Sequence, residues 1–118
     1  MKDLEFNKND DKMRLLISKM KNKHSRISLG GGENKIKKQH EKGKMTARER
    51  INFLKDDNAY FLEIGAFAGD EMYNEYGGCP SGGVIGGITY VKKQQCIIVA
   101  NDATVKAGAW FPISAKKI

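Results

Sequence analysis

The stretch 84–100 sets the tightest limit on what this chain can become. Residues 84–91 and 94–100 read as two strands of a hairpin turned at Lys92-Lys93, flanked by a glycine run and by Asn101-Asp102. In the second strand Cys96-Ile97-Ile98-Val99-Ala100 is continuously apolar, the pattern of a strand buried on both faces. A strand of that kind needs neighbours and cover. The remainder of the 118 residues supplies one further strand candidate, at 60–64. The expected domain is therefore incomplete. Alone, it is expected to expose the edge and face of 84–100 and to aggregate or stay partly molten.

The first half has a different periodicity. Met13, Leu16, Ile17, Met20 and Ile27 recur at helical spacing and predict an amphipathic helix over 11–27, with Asp10 or Asp11 as N-cap and Gly30-Gly31-Gly32 as its stop. A shorter helix is expected over 34–42, with Ile36 and His40 on its inner side and Gly43 ending it. Thr46-Ala47-Arg48-Glu49 is a capping box that opens a third helix, with Ile51, Phe53 and Leu54 as its buried face and Asp56-Asp57-Asn58 as its end. Residues 65–83 read as a long loop, 103–112 as a structured loop, and 113–118 as the start of a helix.

Charge is unevenly spread. Residues 1–55 hold 16 basic and 7 acidic residues, a net +9, whereas 56–118 hold 5 and 7, a net −2. A basic first half suggests an anionic partner, or simply a solvated lysine-rich surface. No apolar run approaches the roughly 18 to 20 residues that span a bilayer, so no membrane partner is expected. The first residues lack a secretory core and carry Asp3, Glu5, Asp10 and Asp11, unlike a transit peptide. A cytoplasmic protein follows, with Cys79 in a loop and Cys96 in the core, both reduced.

Several chemistries are disfavoured by spacing. Neither Gly30-Gly31-Gly32 nor the 77–87 glycine run closes with the Gly-Lys-Ser/Thr of a phosphate loop, and no helix follows the second run as a dinucleotide fingerprint requires. These glycines serve tight turns, positive φ and close backbone approach instead. His24 and His40 have no ligand cluster beside them, so no metal is expected, and nothing supports a Cys79–His40 nucleophile pair. The basic segment 35–50 contains no aromatic residue for stacking on bases. A compact anion such as a coenzyme phosphate, or an acidic partner surface, fits it at least as well.

Three stretches, in this order, resemble the carboxyltransferase (β) subunit of biotin-dependent acyl-CoA carboxylases. They are Gly30-Gly31-Gly32 followed by Gln39-His40-Glu41-Lys42-Gly43-Lys44-Met45-Thr46-Ala47-Arg48-Glu49-Arg50-Ile51; Phe61-Leu62-Glu63-Ile64 leading to Gly77-Gly78; and Ala100-Asn101-Asp102-Ala103-Thr104-Val105-Lys106-Ala107-Gly108-Ala109-Trp110-Phe111-Pro112. The third is closest to the methylcrotonyl-CoA carboxylase type, although the family commonly has glycine where Ala107 stands and often tyrosines near Trp110 and Phe111.

The resemblance implies an α/β, crotonase-like (ClpP/crotonase) fold. Residues 1–55 would be a basic helical segment and 56–118 the start of a truncated carboxyltransferase N-domain. It implies a hexameric parent that moves a carboxyl group from carboxybiotin to an acyl-CoA such as 3-methylcrotonyl-CoA. The biotin would be carried by a biotin carboxylase or biotin carrier partner and not attached here. That reaction needs backbone N–H donors aimed at a developing oxyanion. In the family those turns lie beyond the matched stretches, so no catalytic residue is expected in this chain and it would be inactive alone. For CoA the candidate contacts are Lys106, Gly108 and Ala109 in the motif loop, with Arg48 and Lys44 for a phosphate. The competing reading is a non-catalytic assembly module whose basic helices dock an acidic partner or nucleic acid.

Overall fold

The computed structural model describes residues 2–118. Helix α1 (Lys2–Ile27), α2 (Glu33–Glu41) and α3 (Ala47–Leu54) precede strand β1 (Leu62–Ile64), hairpin β2 (Val84–Val91) and β3 (Gln94–Asn101), and a final helix α4 (Pro112–Lys117). The three strands form one antiparallel sheet in the order β1-β2-β3. Leu62 lies opposite Ile88, and β2 pairs with β3 from Val84 opposite Asn101 to Val91 opposite Gln94.

The register divides the sheet into two unequal faces. Ile85, Gly87 and Thr89 share a face with Ala100, Ile98 and Cys96. Helix α3 lies on that face. Ala47 and Ile51, four residues apart and so on one side of the helix, meet Ile85 in the core, with Phe61, Ile98 and Ala100 packed around them. Gly87 is required there, because a Cβ would strike the Leu62 carbonyl and the Phe61 ring. The other face carries Leu62, Ile64, Ile97 and Val99, all exposed, with Ile97 at 79%.

That asymmetry corrects two expectations. The run 96–100 is not buried on both faces: β3 is an edge strand of the described sheet and its residues alternate between half-buried and exposed. Cys96 is accordingly half-buried rather than a core residue. The buried face of α3 is Ala47 and Ile51, while Phe53 and Leu54 point to solvent at 82% and 54% exposure. Only one face of α3 meets the sheet, and Phe53, about 200° round from Ile51, has rotated off it, whereas Leu54 is the last residue of the helix and remains exposed there.

Helix α1 also departs from its expected form. It starts at Lys2 rather than near residue 11, and Asp10, instead of capping, takes a hydrogen bond from Arg14 one turn later at 2.8 Å. Of its apolar stripe only Ile27 is buried, and Met13, Leu16, Ile17 and Met20 are exposed. No element of the described chain faces them. The helix therefore stands off the body, and the radius of gyration of 17.2 Å exceeds the roughly 13 to 14 Å of a compact chain this size. None of the described helices is long and apolar enough to cross a membrane.

Other elements follow the local chemistry. The capping box at Thr46 is formed, with the Glu49 N–H donating to Thr46 Oγ1 and the Thr46 N–H donating to Glu49. Gly30 and Gly43 end α1 and α2 with positive φ of 55° and 70°. His40, expected on the inner side of α2, is exposed and bonds Glu49. Asp56 does more than end α3: its carboxylate accepts the N–H groups of Lys92 and Lys93 at 2.6 and 2.7 Å and so fixes the hairpin turn.

Candidate functional site

The site grows from the way the glycine triplet meets the 102–109 loop. The Gly31 N–H donates to Thr104 Oγ1 at 2.9 Å, and a Cβ on Gly31 would land on the Thr104 carbonyl. Asp102, buried, accepts from the Thr104 N–H at 2.9 Å and the Thr104 hydroxyl at 2.6 Å. Stretches 73 residues apart are thereby locked together. The loop then makes three left-handed residues in succession, Lys106, Ala107 and Gly108, with φ of 47°, 53° and 87°. Two of these are not glycine, a strained arrangement that costs of order 1 kcal/mol per residue.

One concavity opens between this loop and the α2–α3 turn. It is a cleft of about 610 Å³ lined by Gln39, Lys42, Lys44, Arg50, Ala103 and Ala107, with Met45 at its side. Its three cations arrive by backbone geometry. The Gly43 reversal sets Lys42 and Lys44 on either side of a tight turn closed by Gly43 N–H to His40 O and Lys44 N–H to Gln39 O. Arg48 and Arg50, about 200° apart around α3, then face opposite ways. Arg50 lines the cleft, whereas Arg48 makes a two-pronged salt bridge to Glu63, both contacts at 2.8 Å.

Glu63 is the centre of a second cluster. It is 11% exposed, and besides Arg48 it has the His24 ring at 3.8 Å. Lys117 completes the surroundings. Its ammonium donates to the carbonyls of Ser81 and Val84, and burial lowers its pKa, opposed by the nearby Glu63 carboxylate. This cluster ties α1, α3, β1 and α4 together. Its acid is already neutralised by Arg48, which suits a structural clasp.

The residues singled out from sequence are thus distributed. Lys44 lines the cleft. Arg48 is engaged with Glu63. The Lys106 ammonium lies 4.2 Å from the centre of the Phe111 ring, which in turn stacks on Tyr73 at 4.3 Å. Gly108 is half-buried and Ala109 exposed at the end of the loop. Arg50, Lys42 and Ala107 are cleft residues that the motif spacing did not separate from their neighbours. Helical phase was the available signal: with Ile51 inward and Arg48 engaged, Arg50 had to point elsewhere.

A carboxyl transferase domain model matches residues 38–118, most of the chain and both walls of the cleft. The chain belongs to the carboxyl transferase family. It is 42% identical over 113 residues to a probable mitochondrial methylcrotonoyl-CoA carboxylase β chain of Drosophila melanogaster, covering 96% of this chain and 19% of that one. It is 41% identical over 107 residues to the β1 subunit of a biotin-dependent 3-methylcrotonyl-coenzyme A carboxylase of Mycobacterium tuberculosis, covering 91% and 20%. Among solved structures it resembles the transcarboxylase 12S hexamer with methylmalonyl-coenzyme A bound, at a TM-score of 0.79 and 30% identity, covering 89% of this chain and 21% of that one. The chain thus spans about a fifth of the length of the relatives it matches. It holds part of a crotonase-like carboxyltransferase domain of the β-subunit kind.

Proposed function

We propose that this chain forms the acyl-CoA-facing side of a biotin-dependent carboxyltransferase whose parent reaction moves a carboxyl group from carboxybiotin to a branched acyl-CoA of the 3-methylcrotonyl type. The observation that carries this reading is the cleft, which joins the 39–51 stretch and the 100–112 loop, two of the three stretches that carry the family resemblance. Small residues at Ala103 and Ala107 leave room for a ligand against the loop, and Lys106, Gly108 and Ala109 border the same turn. Biotin, on a partner subunit, supplies the activated carboxyl group. The cleft's donors are ammonium and guanidinium groups, which suit phosphates and not a neutral ureido ring, so no step is assigned to biotin on these residues. The oxyanion donors that the reaction needs and the hexameric assembly are properties of the longer parent.

A thermal-shift titration with CoA and a branched acyl-CoA at two salt concentrations tests the reading. A saturable rise that survives added salt supports it. A rise that salt abolishes and any polyanion reproduces would point to the basic assembly module instead, which α1 favours through its exposed Lys19, Lys21 and Arg26.

A further inference from the structure

We propose that Lys117 is a site of covalent acylation by short apolar acyl thioesters, with the acyl chain seated in the pocket on the open face of the sheet, away from the cleft described above. Three observations meet at this side chain. Its stem is held against two glycines: a Cβ on Gly65 would lie 3.2 Å from the lysine Cε, and one on Gly82 would lie 3.4 Å from its Cδ. Its nitrogen is aimed by backbone, donating to the carbonyls of Ser81 and Val84. Beside it lies a pocket of about 150 Å³ walled by Ile64, Val84, Ile88, Ile97 and Val99, in which Lys117 is the only charged side chain among the described residues. An apolar space of this size takes a group about as large as benzene. The other lysines are held differently. Lys23 is paired with Asp70, and Lys106 sits over Phe111. Among the described residues only Lys117 places its nitrogen on main-chain carbonyls.

This setting serves a neutral amine. An ammonium has three N–H donors, and here the backbone accepts two. A neutral amine has two donors and a lone pair, so the same carbonyls satisfy both donors and leave the lone pair for the third direction. Burial lowers the Lys117 pKa, Arg48 acts the same way, and Glu63 and Cys79 oppose it. The Glu63 carboxylate is itself held by Arg48. A desolvated lysine of this kind is an activated nucleophile. Its lone pair attacks the thioester carbonyl carbon, the C–S bond breaks, and the departing thiolate takes the proton that the nitrogen releases. The products are an amide and a free thiol, with no further reactant. The amide keeps one N–H for the carbonyls, and the acyl chain covers Ile97 and Val99, which are otherwise exposed.

The test incubates the chain with the isovaleryl, acetyl and succinyl thioesters of N-acetylcysteamine and follows each lysine by peptide mass spectrometry. Exposed Lys12 and Lys19 of α1 serve as internal controls. Lys117 is expected to take isovaleryl about tenfold faster than these controls, to keep its rate at lower pH than they do, and to lose the advantage with succinyl, whose charge the apolar wall rejects. Ile97→Asn, an exposed position, should bring Lys117 down to the control rate while circular dichroism shows the fold retained. Urea should abolish the difference. A Lys117 rate no higher than the controls would overturn the proposal. So would a high rate that is indifferent to the acyl chain or to Ile97→Asn, since the pocket would then have no part in it. These probes carry no nucleotide and do not test the cleft, so this proposal and the acyl-CoA reading fail separately.

Discussion

The two faces of the sheet are built from the same kinds of residue and have opposite fates. On one, Ile85 is 2% exposed beneath Ala47 and Ile51 of α3. On the other, Ile97 and Val99 lie open to solvent in the adjoining strand. β-branched apolar residues therefore do not by themselves report burial. Cover does: α3 lies over one face, whereas on the other Val84, beside Lys117 of α4, is buried and its neighbours Ile97 and Val99 are not. The open face is a surface that other structure or another molecule would have to cover to remove its apolar area from water.

The largest effect should come from the covered face. Ile51→Ala is expected to destabilise the chain by about 2 to 5 kcal/mol, read as a drop in melting temperature or denaturant midpoint. The matching Ile97→Ala should change stability by less than about 0.5 kcal/mol. Equal losses at the two sites would mean that both faces are equally covered in solution. Next, Thr46→Ala should cost about 1 kcal/mol by removing the cap of the covering helix.

Charge on the open face sharpens the comparison from the other side. Ile97→Lys is expected to reduce self-association in sedimentation or light scattering while leaving the melting temperature nearly unchanged. A large fall in melting temperature would mean that this face is packed in solution.

The pH dependence is smaller. The Thr46 N–H, and then the His40 ring, hold Glu49 below the ordinary carboxylate range. Because the folded value is depressed, its contribution is present in full above the ordinary range and is lost as pH falls through the folded value. Glu49→Gln should flatten that acid limb of a melting-temperature profile, and an unchanged limb would assign it to other acids. The smallest expected difference is in thiol chemistry. Burial raises the Cys79 thiol pKa, partly countered by its contact with Ser114, so Cys96 should alkylate first in a native-state time course.

Much of the local structure was legible before the fold was known. The capping box at Thr46, the hairpin turned at Lys92-Lys93 and the glycine stops at Gly30 and Gly43 all formed as their sequences imply. Each is decided by residues within a few positions of one another, where propensity and hydrogen bonding compete with little else. The candidate site was legible only in part. The sequence pattern pointed to both Lys44 and Arg48, yet Glu63, fifteen residues on, claims Arg48 and leaves Arg50 to the cleft. The hinge of the site, Gly31 against Thr104, is a long-range contact for which the local sequence carries only the permissive glycine.

By itself, then, the sequence determined the kinds of element, most of their limits apart from the start of α1, the uneven charge and the family. It did so because periodicity, caps and motif order are properties of neighbouring residues. Only the tertiary structure decided which apolar surfaces are covered, why the α1 stripe and one face of β3 stay bare, and which cations remain unpaired. Burial and ion pairing depend on what arrives from elsewhere in the chain. An apolar run such as 96–100 reads the same whether one helix or two come to lie against it.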